Sequence, residues 1–303
     1  MTMLGKIKAF IDTYPALTAE IDRLKALDGV GSLHDEAVQL HVAKRDALLK
    51  QDETVLREDV AKNLAREIEQ NSPDTFIVSA HQFGTSLARK SEMERLRSLL
   101  LPFSDDIRIV AHVEDPARML SRYFASQVIE GRARSLDLEM GLLDSESWWD
   151  AARETRKEAD PQRARFAEVQ GAPFWLDFAR LVSEWDSVFG EGATQLRALD
   201  HDLINGPDVT DEIRAAFDIP FQIGKAEPHT PAPPPPEAWL SRCRQMNDVL
   251  LRYIQLRKAI LPRLLWRKFM AEIRVGGTPL DPGSLHAISK HFANDIKELT
   301  KKH

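Results

Sequence analysis

Residues 107–131 read IRIVAHVEDPARMLSRYFASQVIEG. The stretch opens on Ile107, Ile109, Val110, Ala111 and Val113, an apolar and largely β-branched series of strand length. It then passes through Glu114-Asp115-Pro116. An aspartate side chain accepts from the free N–H groups at a helix start, and proline fits the first helical position. The sequence therefore predicts a strand that runs directly into a helix. Met119, Leu120, Tyr123 and Phe124 recur at helical spacing, and Gly131 marks the end. A strand feeding a helix of ten residues or more is the unit from which parallel α/β sheets are built.

The flanks extend the pattern in both directions. Upstream, the turn cluster Asn71-Ser72-Pro73-Asp74 precedes Thr75-Phe76-Ile77-Val78-Ser79-Ala80, a β-rich run suited to a buried strand. Leu96, Leu99, Leu100 and Leu101 mark a helix that stops at Pro102. Downstream, Phe174, Phe178, Leu181, Val182 and Trp185 lie on a helix, followed by a third strand from Thr194 to Leu199. The expectation is α/β and helix-rich, with three parallel strands near 75–80, 107–113 and 194–199 in one small sheet flanked by helices. The first 70 residues read as successive helices, from Leu4–Phe10 through Ile21–Leu27 and Ala37–Leu49 to a fourth carrying Val55, Val60, Leu64 and Ile68.

Further along, residues 228–236 hold Pro228, Pro231 and an unbroken run from Pro233 to Pro236, which predicts an extended spacer. A helix pair follows. Trp239, Cys243, Met246, Leu250 and Ile254 form one apolar stripe, and Pro262 separates it from Leu265, Phe269 and Ile273. The organisation read from the chain is an α/β domain over 1–227 with a helical N-terminal part, a spacer over 228–236, and a C-terminal basic helical segment over 237–303 packed on the body.

Composition narrows the function classes. The chain has 303 residues, 43% hydrophobic and 29% charged, with a net charge of −6. Those values exclude a collagen and general disorder. No apolar run approaches the roughly 20 residues that a spanning helix needs, so a transporter is excluded and a cytoplasmic setting is expected. Cys243 stands alone, which rules out an intrachain disulfide scaffold and a zinc ribbon. Between Arg242 and Arg274, nine Arg or Lys face two acids, leaving that segment at +7 within an acidic chain. It reads as a helix with a solvated basic face, and no nucleic acid is expected as a partner. His34 with Asp35, His41, and His201 with Asp202 lack metal-site spacing, so no metal is expected. No Gly-x-Ser-x-Gly nucleophile elbow occurs. Trp148-Trp149 read as packing residues, with stacking on a sugar as the other reading.

Three segments, in order, resemble the sulfotransferases that use 3′-phosphoadenosine-5′-phosphosulfate, in particular the bacterial carbohydrate-type members. They are residues 76–83 (FIVSAHQF), residues 107–131, and Trp185-Asp186-Ser187-Val188-Phe189-Gly190 followed by residues 196–200 (LRALD). Together they cover about half the chain. The resemblance implies a P-loop nucleotide kinase-like fold and in-line attack by an acceptor hydroxyl, of a carbohydrate or another molecule, on a sulfuryl group. It implies that His81 takes the acceptor proton, a role that neutral imidazole suits at pH 7. It also implies that Ser121, helped by Arg118 or Arg122, holds the nucleotide's 3′-phosphate. Gly84, Thr85 and Ser86 form a degenerate candidate for the phosphate loop.

The chain departs from the family pattern at two points. No strand leading into a Lys-x-Gly-Thr-Thr-like loop precedes residue 70, and Glu114 stands where the family places an arginine. Three readings follow: an active sulfotransferase, a non-catalytic sulfotransferase-like module that binds a glycan or partner protein, and a chain whose strand and phosphate loop lie upstream of Met1. The catalytic reading expects an anion-binding crevice at the carboxyl ends of the strands, faced by His81 and Ser121.

Overall fold

The computed structural model describes residues 53–156, 167–257 and 263–302. The three helices expected before residue 50 lie outside the described residues. The first described helix, α1 (Glu53–Asn71), carries Val55, Val60 and Leu64. Then come α2 (His81–Ser86) and α3 (Lys90–Leu100), β1 (Ile109–Val113), α4 (Pro116–Ile129), α5 (Asp137–Met140), α6 (Trp148–Glu154) and α7 (Ala167–Gln170). A 3₁₀ turn (Phe174–Leu176) leads into α8 (Phe178–Phe189), β2 (Thr194–Ala198), α9 (His201–Asn205) and α10 (Val209–Ala216). The C-terminal part comprises α11 (Glu237–Arg257), α12 (Arg263–Glu272), α13 (His286–His291) and α14 (Ala293–Lys302).

β1 and β2 pair in parallel, Ile109 opposite Thr194 and Val113 opposite Ala198. They form a two-stranded sheet among the described residues. The helix-rich α/β class holds, and two of the three expected strands are present. The third is corrected: residues 75–80 form neither strand nor helix, and Phe76, Ile77 and Val78 are 38%, 41% and 44% exposed. Their β-branched and aromatic character records fitness for a half-buried pleated surface, which the chain does not offer them here.

The Asp115-Pro116 signal works as its chemistry requires, since Asp115 Oδ1 accepts from Arg118 N at 3.1 Å. The resulting α4 serves two cores. Ala117 and Leu120 join Met93, Trp149, Phe174 and Trp185 in one. Phe124, Ala125 and Val128 join Leu240, Cys243, Met246, Trp266 and Phe269 in the other, so α11 and α12 cover the second half of α4. Trp148 and Trp149 are 2% and 1% exposed, and Trp149 meets Phe174 edge-on at 4.6 Å. Their role is packing.

A fully buried polar knot ties these halves together just after α4. Gly131 has φ 107°, which a residue with a Cβ rarely adopts, and turns the chain inward. Arg132 then donates from Nη1 and Nη2 to both carboxylate oxygens of Glu139, each at 2.8 Å, and neither side chain is exposed. Its Nε and Nη2 also reach the carbonyls of Arg134 and Ser135. Asn247 of α11 donates to the carbonyls of Val128 and Arg132 and accepts from Trp266 Nε1 at 2.7 Å.

The proline-rich stretch is tied down at both ends. His229 N donates to Asn205 O at 2.9 Å, and Glu237 N to Thr278 O at 2.8 Å beside a Pro236–Pro279 bridge. No helix among the described residues is long and apolar enough to cross a membrane.

Candidate functional site

Both strands end at the same place. β1 gives way to Glu114 and the Asp115 cap of α4, and β2 to Leu199 and the Asp200 cap of α9, where Asp200 Oδ1 accepts from Asp202 N and Leu203 N. Crevices of parallel α/β sheets form outside the carboxyl ends of the strands. A groove of about 1550 Å³ opens there. One wall is a single stripe of α4, Arg118, Ser121, Arg122, Ala125, Ser126 and Ile129, spaced to share a helix face. Opposite it stand His201, Ile204 and Asn205 of α9. Pro231–Pro235 and residues 279–283, with His286 and Ser289 of α13, complete the enclosure.

Most of the charge in this groove is already committed. Glu114, whose side chain is 10% exposed, forms an ion pair with Arg122 and lies 3.5 Å from His201 Nε2. Burial lowers the pKa of Arg122 from its ordinary value. Asp115 is spent on the helix cap, Asp281 accepts from Gly283 N, and Glu130 faces Arg267 at 3.4 Å. Ser121, 7% exposed, donates its hydroxyl hydrogen to Arg118 O at 2.9 Å. The guanidinium of Arg118, exposed at the rim, makes no hydrogen bond among the described residues.

The residues expected in the site divide into two groups. Ser121, Arg118 and Arg122 converge on the groove. His81, Gly84, Thr85 and Ser86 do not line it; they form α2, which lies against the Phe174–Leu176 turn. Gly84, Thr85 and Ser86, expected as a phosphate loop, are therefore wound into a short helix outside the groove. Phe83 and Leu87, four residues apart, pack on the core and wind the intervening chain into helix. Thr85 Oγ1 donates to His81 O at 2.9 Å, and Arg156 Nη2 donates to Thr85 O at 2.7 Å. His81 itself is exposed at the first position of that helix.

Sequence reading missed the contributions of α9, α13 and the proline wall. The stripe at 118–129 was available as a pattern; the approach of residues about 80 to 170 positions away was not. Among the described residues no cluster of His, Cys, Asp or Glu is arranged to hold a metal ion.

A second charged cluster lies where α10 meets the sheet. Glu212 accepts from Arg197 Nη2 at 2.9 Å and from Arg197 Nε, and stands 2.9 Å from His112 Nε2. Arg197 foremost, with His112 adding to it against the cost of burial, holds the Glu212 carboxyl at about 2. Arg108 of the chain entering β1 pairs with Asp218 just after α10. These contacts fasten a helix to a sheet.

Comparison with known protein families, curated proteins and solved structures found no match.

The residues assigned to 3′-phosphoadenosine-5′-phosphosulfate do not fit it as one site. The hydroxyl and glycine set is wound into α2, Arg122 is neutralised by Glu114, and the Ser121 hydroxyl is bound to backbone.

Proposed function

We propose that this chain is a non-catalytic, sulfotransferase-like binding module that holds a segment of a partner protein in the groove beyond β1 and β2. The observation that carries this reading is the groove's construction. Its volume of about 1550 Å³ exceeds the roughly 300–1,000 Å³ typical of small-ligand pockets, which suits a polymer. Its apolar lining is aliphatic, with Ile129, Leu199, Ile204, Leu240, Leu280 and the proline run, and no Phe, Tyr or Trp among the described residues lines it. Sugars gain much of their binding from aromatic faces, so a peptide segment suits these walls better than the glycan alternative. The Glu114–Arg122 pair supports the same reading, because the carboxylate competes with any phosphate for that guanidinium.

One observation favours the catalytic reading: Arg118 and Ser121 line a crevice at the carboxyl ends of parallel strands, where nucleotides bind in α/β proteins. A calorimetric titration of the full chain with 3′-phosphoadenosine-5′-phosphate separates the two. The binding-module reading expects no binding, no sulfuryl transfer to carbohydrate acceptors, and peptides selected from a random library that bind wild type but not Ser126→Trp. Nucleotide binding that is lost in Arg118→Ala would overturn it in favour of the transferase.

A further inference from the structure

At the amino ends of β1 and β2, away from the groove, a second depression of about 480 Å³ opens between the chain entering β1, the turn from α8 into β2, and Asp218 beyond α10. Its volume lies in the range of roughly 300–1,000 Å³ typical of small-ligand pockets. Asp105, Asp106, Glu191 and Asp218 border it with a single cation, Arg108, so its formal charge is −3. Arg108 is already engaged, paired with Asp218 and 3.6 Å from Asp106. Asp105 and Glu191 are exposed and make no ion pair among the described residues. Each is carried on a fastened turn. Ser104 Oγ accepts from Asp106 N at 3.1 Å, and Asp186 accepts from Gly192 N at 3.0 Å and Thr194 N at 2.9 Å, with Gly192 at φ 76°.

Thr194, the first residue of β2, lines the same depression. It is 2% exposed, and its hydroxyl oxygen has no hydrogen-bond partner among the described residues. A buried hydroxyl left unpaired is costly and uncommon in folded chains. Among carboxylates, the donor that suits it is an N–H group carried by a cation.

The remaining lining narrows the class of cation. Among the described residues no group of His, Cys, Asp or Glu is arranged to hold a metal ion. Ile107, Val110 and Phe189 give the depression an apolar part between its acidic turns. Methylene groups pack on such side chains, and an aromatic ring also attracts an ammonium. We propose that this depression binds an aliphatic polyamine. Its ammonium ends pair with Asp105 and Glu191, which sit on different turns. Its chain lies along Val110 and Phe189, and one N–H donates to Thr194 Oγ1. The site is separate from the groove and does not depend on what the groove holds.

Calorimetric titration of the full chain with spermidine tests this, beside n-butylamine, which offers only the single ammonium of a lysine side chain. The expected result is one spermidine per chain, bound at least about tenfold more tightly than butylamine and weakened by added salt. Asp105→Asn with Glu191→Gln, at exposed positions, should weaken spermidine about three- to tenfold. Thr194→Val keeps the shape and removes the hydroxyl. It should weaken spermidine about tenfold while melting no earlier than wild type, because the hydroxyl it removes has no partner in the chain. No binding at low salt, equal binding of the two amines, or affinity unchanged in either variant would each overturn the proposal. A Thr194→Val that melts well below wild type would overturn it as well, by showing that the hydroxyl is already satisfied within the protein.

Discussion

Glu212 sits in an environment far from that of the isolated side chain. Its side chain is 12% exposed, and Arg197 and His112 both address the carboxylate, lowering its pKa from 4.5 to about 2. A carboxyl held below its unfolded value stabilises the native state at pH values above the unfolded one. That contribution is lost as pH falls through the interval down to about 2. Glu212→Gln should therefore lower stability at pH 7 by about 1–2 kcal/mol, allowing for screening at a partly open site, and the deficit should shrink below pH 4. Urea unfolding of both proteins at pH 7 and pH 3 checks it; an equal deficit at both values would assign the loss to packing instead. Arg132 and Glu139 present a harsher case, because neither touches water. Glu139→Gln leaves a buried guanidinium without its counter-charge and should cost about 3–5 kcal/mol, read as a lowered urea midpoint. None of these partners was legible in the sequence. His112 and Glu212 are 100 positions apart, and a charged residue in a pattern does not announce which distant charge it will meet.

At the scale of elements, legibility followed local chemistry. α4 could be read because its cap, its first-turn proline and its apolar stripe are all encoded within fifteen residues, and each appears in the structure. β1 and β2 were visible as apolar runs beside such helices. Residues 75–80 carried the same apolar signal without a strand forming, because pairing depends on a neighbouring edge that the local sequence does not specify. The groove shows the same division: the face of α4 was readable as spacing, whereas the walls supplied by α9, α13 and the prolines come from chain folding. Substitutions on α4 should reveal its two faces. Leu120→Ala, at a position with no exposure, should cost about 2–5 kcal/mol. Asp115→Ala should cost about 1 kcal/mol through loss of the cap. Ser126→Ala, on the groove side, should alter stability by less than about 0.5 kcal/mol. Thermal denaturation of the three proteins orders these effects, and a Leu120→Ala as mild as Ser126→Ala would contradict the division of faces.

The whole molecule depends on how the C-terminal helices cover α4. Leu240, Cys243 and Met246 of α11 and Trp266, Phe269 and Met270 of α12 enclose Phe124, Ala125 and Val128. Burial pushes the Cys243 thiol up to about 12, so it should resist alkylation until the chain opens. Asn247 adds a directional tie by satisfying two carbonyls at the end of α4, one of them on Arg132. Cutting within residues 228–236 leaves these contacts intact, whereas removing residues 237–303 strips the apolar cover and leaves the Val128 and Arg132 carbonyls without Asn247. The nicked protein should then stay assembled, with Cys243 unreactive and its melting temperature within a few degrees of the uncut chain. The chain ending at residue 236 should show no cooperative thermal transition or should aggregate, because it exposes the second core. Gel filtration, alkylation by iodoacetamide and calorimetry on the three forms distinguish the outcomes. A truncated body that melted cooperatively at the temperature of the full chain would mean that α11 and α12 are an independent module resting on a self-sufficient domain.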